Sequence, residues 1–250
     1  TCYGDKDEYP ATRMAVAALL RKTLFEAMQY KKEKENGSLE KIDFEMESWI
    51  PVLSKEIPLK AHAHRADDIL TAIRIAKEFD LRMTIDHGTE SHLIVEQVKS
   101  SGFPVIVGPD LTSRSKPEVQ NMNFKTNRVL YENGVLFSIM TDHPVSMIQY
   151  LPLCAGLAVK QGLPIEEGLK AITINAAHIC GVGDVVGSLE KGKHADIAIF
   201  TGNPMEVFTK TLYTIIDGKI VYKYKEESCA DTAEDMGITR VPLCVLGVVI

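Results

Sequence analysis

From Pro58 to about Ile174, short apolar segments alternate with helical ones, and no other feature of the chain constrains its fold as strongly. Leu59–His62 reads as a strand. It leads into a helix over Ala66–Phe79, where Ile69, Leu70, Ile73, Ile75 and Ala76 supply the apolar positions. Arg82–Asp86, Pro104–Val107 and Val135–Met140 read as three further strands. The helices between and after them run over Leu93–Lys99, Lys125–Asn133, Met147–Lys160 and Ile165–Ile174, with a polar loop at Thr112–Lys116. Parallel neighbours need a crossover of this length, so the spacing predicts an α/β fold with a parallel sheet, doubly wound or closed into a (β/α) barrel.

The flanks read differently. Pro10 to about Glu35 has helical periodicity in Ala17, Leu20, Leu24 and Ala27, and Asn36-Gly37-Ser38 stops it. A second amphipathic stretch, Leu39–Ser54, places Ile42, Met46, Trp49 and Ile50 on one face. After about Gly181 short β segments follow one another at His194–Thr201, Leu212–Asp217 and Ile220–Tyr224, with Asp217-Gly218 as a hairpin turn. These patterns predict an α/β part over residues 1–180, a small β module over 181–224 and a tail, 225–250, with no convincing period and no evident partner.

Composition narrows the function classes. With 250 residues, 45% hydrophobic and 25% charged, the chain can bury a sizeable core. A net charge of -6 gives no electrostatic case for nucleic acid or an anionic membrane surface. No apolar run reaches the roughly 18–20 residues of a membrane span. The 5 cysteines include no CxxC pair and read as reduced thiols of a cytoplasmic protein, with Cys154 and Cys180 expected to be buried in helices.

Three predicted strand ends carry residues that bind metals. His62 and His64 lie at the first, Asp86 and His87 at the second, and Asp142 and His143 at the fourth. In a parallel barrel all strand C-termini open on one face, so side chains far apart in sequence converge there. Imidazoles joined by a carboxylate suit zinc or a similar divalent ion. The alternative is that each histidine is an ordinary core or surface residue.

At this level the chain resembles the metal-dependent amidohydrolases, closest to the imidazolonepropionase-like and prolidase-like branch, over about residues 8–224. Val186–Phe200, Ala171–Ala177 and Ile216–Val221 are similar to the family's return from barrel to small β domain. Ala61-His62-Ala63-His64, Ile85-Asp86-His87-Gly88 and Thr141-Asp142-His143-Pro144 match the family's strands five, six and eight in order and spacing. The resemblance implies a partial (β/α)8 TIM barrel made of the C-terminal strands, with a small C-terminal β module. It implies that His62, His87 and Asp142 hold a divalent metal, most simply Zn, and that Asp142 shuttles the proton of the attacking water. His87, or His143, would steady the oxyanion, and His64, Arg65, Arg114 and His143 would contact a small-molecule substrate. The expected reaction is metal-dependent hydrolysis of a non-peptide or cyclic amide C–N bond, with no nucleic acid or membrane partner and with room for a homo-oligomer. The alternatives are a deaminase of the same superfamily and a non-catalytic scaffold built on the barrel. The chain departs from the family in two ways. It has no first-strand His-x-His pair, and no strand-three or strand-four Glu or carboxylated Lys; no His precedes His62. The expectation is therefore a chain lacking the family's first strands, inactive as given, whose β module has an open edge.

Overall fold

The computed structural model describes residues 9–225 and a strand at 244–246. The chain divides into two compact units, residues 1–108 with 113–136, and residues 109–112 with 137–250.

The first unit opens with helix α1 (Arg13–Glu35), begun by the Thr12 hydroxyl, which accepts the Ala15 N–H at 3.1 Å. Leu24, Ala27 and Tyr30, spaced three apart, form its buried stripe. Helix α2 (Phe44–Leu53) is shorter than its amphipathic pattern predicts. The Asp43 carboxylate accepts the N–H groups of Glu45 and Met46 at 2.9 and 3.2 Å, so the helix starts there and Ile42 lies outside it, exposed. Tyr30 and Lys34 both reach Glu47, at 2.7 and 2.6 Å, and tie the two helices together.

The parallel sheet follows. Strand β1 (Leu59–Ala63), helix α3 (Ala66–Glu78), strand β2 (Met83–His87), helix α4 (Val95–Ser101), strand β3 (Val105–Val107) and helix α5 (Lys125–Glu132) alternate as the sequence predicts. Register runs from Leu59 opposite Met83 to Ala63 opposite His87, and Ile85 lies opposite Val105. Because side chains alternate along a strand, Ala61, Ala63, Met83, Ile85, Val105 and Val107 share the covered face. Of these, Ala63, Met83, Ile85, Val105 and Val107 are buried, and with Ile69, Val98 and Leu130 they make this unit's core. Lys60, Thr84 and Asp86 share the opposite face with His62, and there Lys60 Nζ lies 3.1 Å from the Asp86 carboxylate.

The second unit holds strand β4 (Phe137–Ile139) and helices α6 (Leu151–Lys160), α7 (Ile165–Ala171) and α8 (Ile174–Ile179). Two helix limits differ from the sequence prediction. A 3₁₀ turn at Ile148–Tyr150 precedes α6, which starts with Pro152 in its first turn, where a missing N–H costs nothing. The predicted helix to Ile174 ends at Ala171 because Thr173 (φ -133°, ψ -102°) breaks it, and α8 begins anew. Cys154 is buried as expected, whereas Cys180 is exposed, because α8 ends just before it.

Strands β5 (Ile197–Phe200), β6 (Thr211–Ile216), β7 (Lys219–Lys223) and β8 (Cys244–Leu246) form an antiparallel sheet in the order β7-β6-β5-β8. Asp217 (φ +49°) and Gly218 (φ +74°) make the predicted turn, both in the left-handed region that a type I′ hairpin requires. The tail, for which the sequence showed no partner, supplies β8, paired with β5 through Ile199 and Val245. Among the described residues β7 pairs with β6 alone, and all five of its residues are exposed. No helix among the described residues is long and apolar enough to cross a membrane.

Candidate metal centre

Two adjacent parallel strands end side by side, and their ends bring three histidines together. His62 is in β1, His64 follows its last residue, and His87 closes β2. Their ring centroids are 4.0 Å apart for His62 and His87, 4.4 Å for His64 and His87, and 4.9 Å for His62 and His64. One ring nitrogen from each lies within 4.8 Å of the others.

Local geometry aims each ring. His87 adopts φ +73°, an uncommon conformation for a residue with a side chain, and Gly88 follows at φ +51°. A Cβ on Gly88 would sit 2.3 Å from Val105 Cγ1, so only glycine fits this turn out of the strand. His87 Nδ1 lies 2.7 Å from the Gly108 carbonyl oxygen. A carbonyl only accepts, so Nδ1 carries the proton and Nε2 keeps its lone pair, the tautomer of a metal ligand. His64 Nδ1 meets the Thr89 hydroxyl at 2.9 Å, which leaves its Nε2 3.1 Å from His62 Nε2. The main chain is fastened at the same point. Gly88 N–H donates to the Ala63 carbonyl at 3.0 Å, and Glu90 N–H donates to that of His64 at 2.9 Å.

Burial, and then the neighbouring His87 and His62, pushes the His64 pKa down to about 3. A metal ligand must be unprotonated, and His64 is neutral throughout the neutral pH range. Tetrahedral zinc with Zn–N bonds of 2.0–2.1 Å separates its nitrogens by about 3.3–3.4 Å. The His62–His64 nitrogen separation is near that value, and three imidazoles are a known zinc donor set. The residues present fit a divalent metal.

The other expected site residues are placed as follows. Arg65 is paired through its fork with Asp67, at 3.0 and 3.1 Å, at the start of α3. Arg114 is exposed and gives Nη2 to the Met122 carbonyl at 2.8 Å. Asp142 and His143 belong to the second unit, just past β4. Asp142 is exposed at φ +51°, its carbonyl taking the Val145 N–H at 2.8 Å, and His143 Nδ1 accepts the Ile148 N–H at 3.3 Å. Asp86, the register partner of His62, is engaged by Lys60 and Thr84.

Sequence reasoning took His64 for a substrate contact, while the structure puts its ring among the candidate ligands. It also missed Thr89 and Glu90, which hold His64. The only available signal was the polar Thr89-Glu90 pair directly after His87-Gly88, at the end of a strand.

The amidohydrolase from Thermotoga maritima is 38% identical in sequence and superposes with a TM-score of 0.85 over 88% of this chain and 59% of its own. The imidazolonepropionase of Geobacillus thermodenitrificans is 43% identical over 103 residues, 38% of this chain and 24% of that protein. The amidohydrolase tasK of Hapsidospora irregularis is 23% identical over 235 residues, 86% of this chain and 24% of that protein. The chain thus spans about a quarter of the length of these two curated relatives. A family model described as the amidohydrolase family matches residues 53–221, more than half of the chain, and the protein belongs to that family.

Proposed function

We propose that this chain carries the metal-binding half of a hydrolase that opens a cyclic or other non-peptide amide at its C–N bond. The observation that carries this reading is the convergence of His62, His64 and His87 at the ends of two parallel strands. In this reading the sheet of the first unit is an arc of a (β/α)8 barrel, whose strand C-termini form the reacting face. The similarity to imidazolonepropionases over up to 70% of the chain favours a cyclic amide over a peptide.

His62 and His87 would hold the metal, with the Nε2 of His64 beside them. A zinc-like ion, when bound, supplies an acidified water and polarises the scissile carbonyl. The Gly108 carbonyl keeps the His87 proton on Nδ1, so its Nε2 stays available. Asp142 is assigned the general base: its carboxylate takes the proton of the attacking water and returns it to the departing nitrogen. His143, next to it, is assigned to the substrate oxyanion. Arg114, with one guanidinium nitrogen held by Met122, presents the rest of its fork to a substrate carboxylate. Arg65 has less to offer, because Asp67 takes its fork.

The test is hydrolysis by the zinc- or cobalt-loaded protein of a panel of cyclic amides, N-formyl amines and dipeptides. Ring opening that is lost in both His87→Ala and Asp142→Asn supports the reading. So does metal binding with turnover only after a segment carrying a His-x-His pair is supplied. Turnover indifferent to both substitutions contradicts it.

A further inference from the structure

Glu90 is a buried carboxylate, and both its oxygens are taken. Oε2 accepts the Ala66 N–H at 2.7 Å, and Oε1 accepts Asn121 Nδ2 at 2.8 Å. Its own N–H donates to the His64 carbonyl at 2.9 Å. Ala66 is two residues beyond His64, so one side chain and its backbone grip the main chain on either side of Arg65. The preceding residue, Thr89, meets the His64 ring. The third partner, Asn121, lies in the loop between β3 and α5, which is cross-tied within itself. Arg114 donates to Met122, and Gln120 Nε2 donates to the carbonyls of Arg114 and Lys116 at 3.2 and 3.3 Å.

We propose that Glu90 is a positioning residue that locks His64 and the Arg114 loop to the histidine cluster. The chemistry favours a carboxylate there. Every partner is a donor, a carboxylate accepts at both ends, and charge-assisted bonds of this kind are roughly twice as strong as neutral ones. A buried charge is costly unless it is satisfied, and here both oxygens accept hydrogen bonds. The position of His64 Nε2 then depends on a residue that touches neither metal nor substrate. Such supporting residues typically change metal affinity by about 10–100-fold when removed.

The inference rests on the metal reading, and the experiment separates the two. Zinc affinity is measured by competition with a chromophoric chelator, and site geometry by the absorption spectrum of the cobalt form. Circular dichroism reports folding. Glu90→Ala is expected to lose about 10–100-fold in zinc affinity and to alter the cobalt spectrum while keeping its helix content. Glu90→Gln keeps the Ala66 bond, and a flipped Asn121 amide keeps the other, so it should restore affinity to within about threefold of the parent. If Glu90→Ala does not fold, Glu90→Asp serves: it keeps the charge but is one methylene too short, and about a tenfold loss is expected. A folded Glu90→Ala or Glu90→Asp with the parent's affinity and cobalt spectrum overturns the proposal. If the parent binds no zinc, the metal reading fails. The tether is then judged by the nitrogen-15 shifts of the His64 ring, and shifts unchanged by Glu90→Ala overturn it.

Discussion

Both sheets of this protein use β-branched residues, Ile85, Val105 and Val107 in the parallel one and Ile215, Ile220 and Val221 in the antiparallel one, yet β2 and β3 stand in the opposite relation to solvent from β7. In β2 and β3, Met83, Thr84, Ile85, His87, Val105 and Val107 are all buried. In β7 no residue is buried, and Ile220, Val221 and Tyr222 are among the exposed ones. The parallel strands are fixed by what covers them. A slip of one residue would turn Ile85 and Val105 to the wrong face, so packing sets the register and the register sets where His87 emerges. The antiparallel hairpin is fixed by its Asp217-Gly218 turn, and burial contributes little. A residue's position is therefore enforced with kilocalories in the first unit and with turn geometry in the second.

The sharpest way to break this comparison is to truncate one isoleucine in each sheet. Ile85→Ala, at a fully buried site, is expected to lower stability by about 2–5 kcal/mol. Ile220→Ala, at a site 62% exposed, should stay within about 0.5 kcal/mol of the parent. Urea titrations of the two variants give the difference, and equal losses would refute the contrast.

Gly88→Ala comes next. It forces a Cβ against Val105 and a side chain into φ +51°, and a loss of about 1–3 kcal/mol is expected. Zinc affinity should fall with it, because the turn aims His87. Gly218→Ala, where nothing lies within 4 Å of the added carbon, meets only the conformational penalty and should cost less.

Cys154 and Cys180 of the second unit offer a smaller, chemical test. Burial pushes the Cys154 thiol up to about 11, so it stays protonated at pH 7–9 and only the protonated form is stabilised there. That contribution is whole below pH 9 and is lost as pH rises towards 11. Peptide mapping after iodoacetamide at pH 8 should show Cys180 modified and Cys154 untouched until denaturant is added. Rapid labelling of native Cys154 would contradict its burial. The smallest effect expected is on solubility: Val221→Lys on the exposed edge should reduce concentration-dependent light scattering without moving the unfolding midpoint by more than a degree or two.

The alternation of strands and helices from Leu59 to Ile139 was legible because short apolar-rich runs, alternating in Leu59–Ala63 and Met83–His87 and continuous in Val105–Val107, recur between segments of helical period. His62 and His87 were legible for the same reason, since each lies at the end of such a run. The role of His64 was not. It lies past the strand, where direction depends on the Gly88 and Glu90 backbone bonds to Ala63 and His64, and no periodicity encodes those. The helix limits at Asp43 and Thr173 escaped for a similar reason. Each is decided by one residue's bonding or dihedral angles, whereas the apolar pattern runs on past both. The exposure of Cys180 follows from α8 ending at Ile179, just before it.

The central claim is that three histidines from two adjacent strand ends form one metal site. X-ray absorption at the zinc edge of the loaded protein, compared with its His62→Ala, His64→Ala and His87→Ala variants, tests it most directly. The account predicts one zinc per chain with imidazole nitrogens at about 2.0–2.1 Å, and a loss of imidazole scattering in each variant. Zinc held without imidazole ligands, or a spectrum unchanged by all three substitutions, would contradict it.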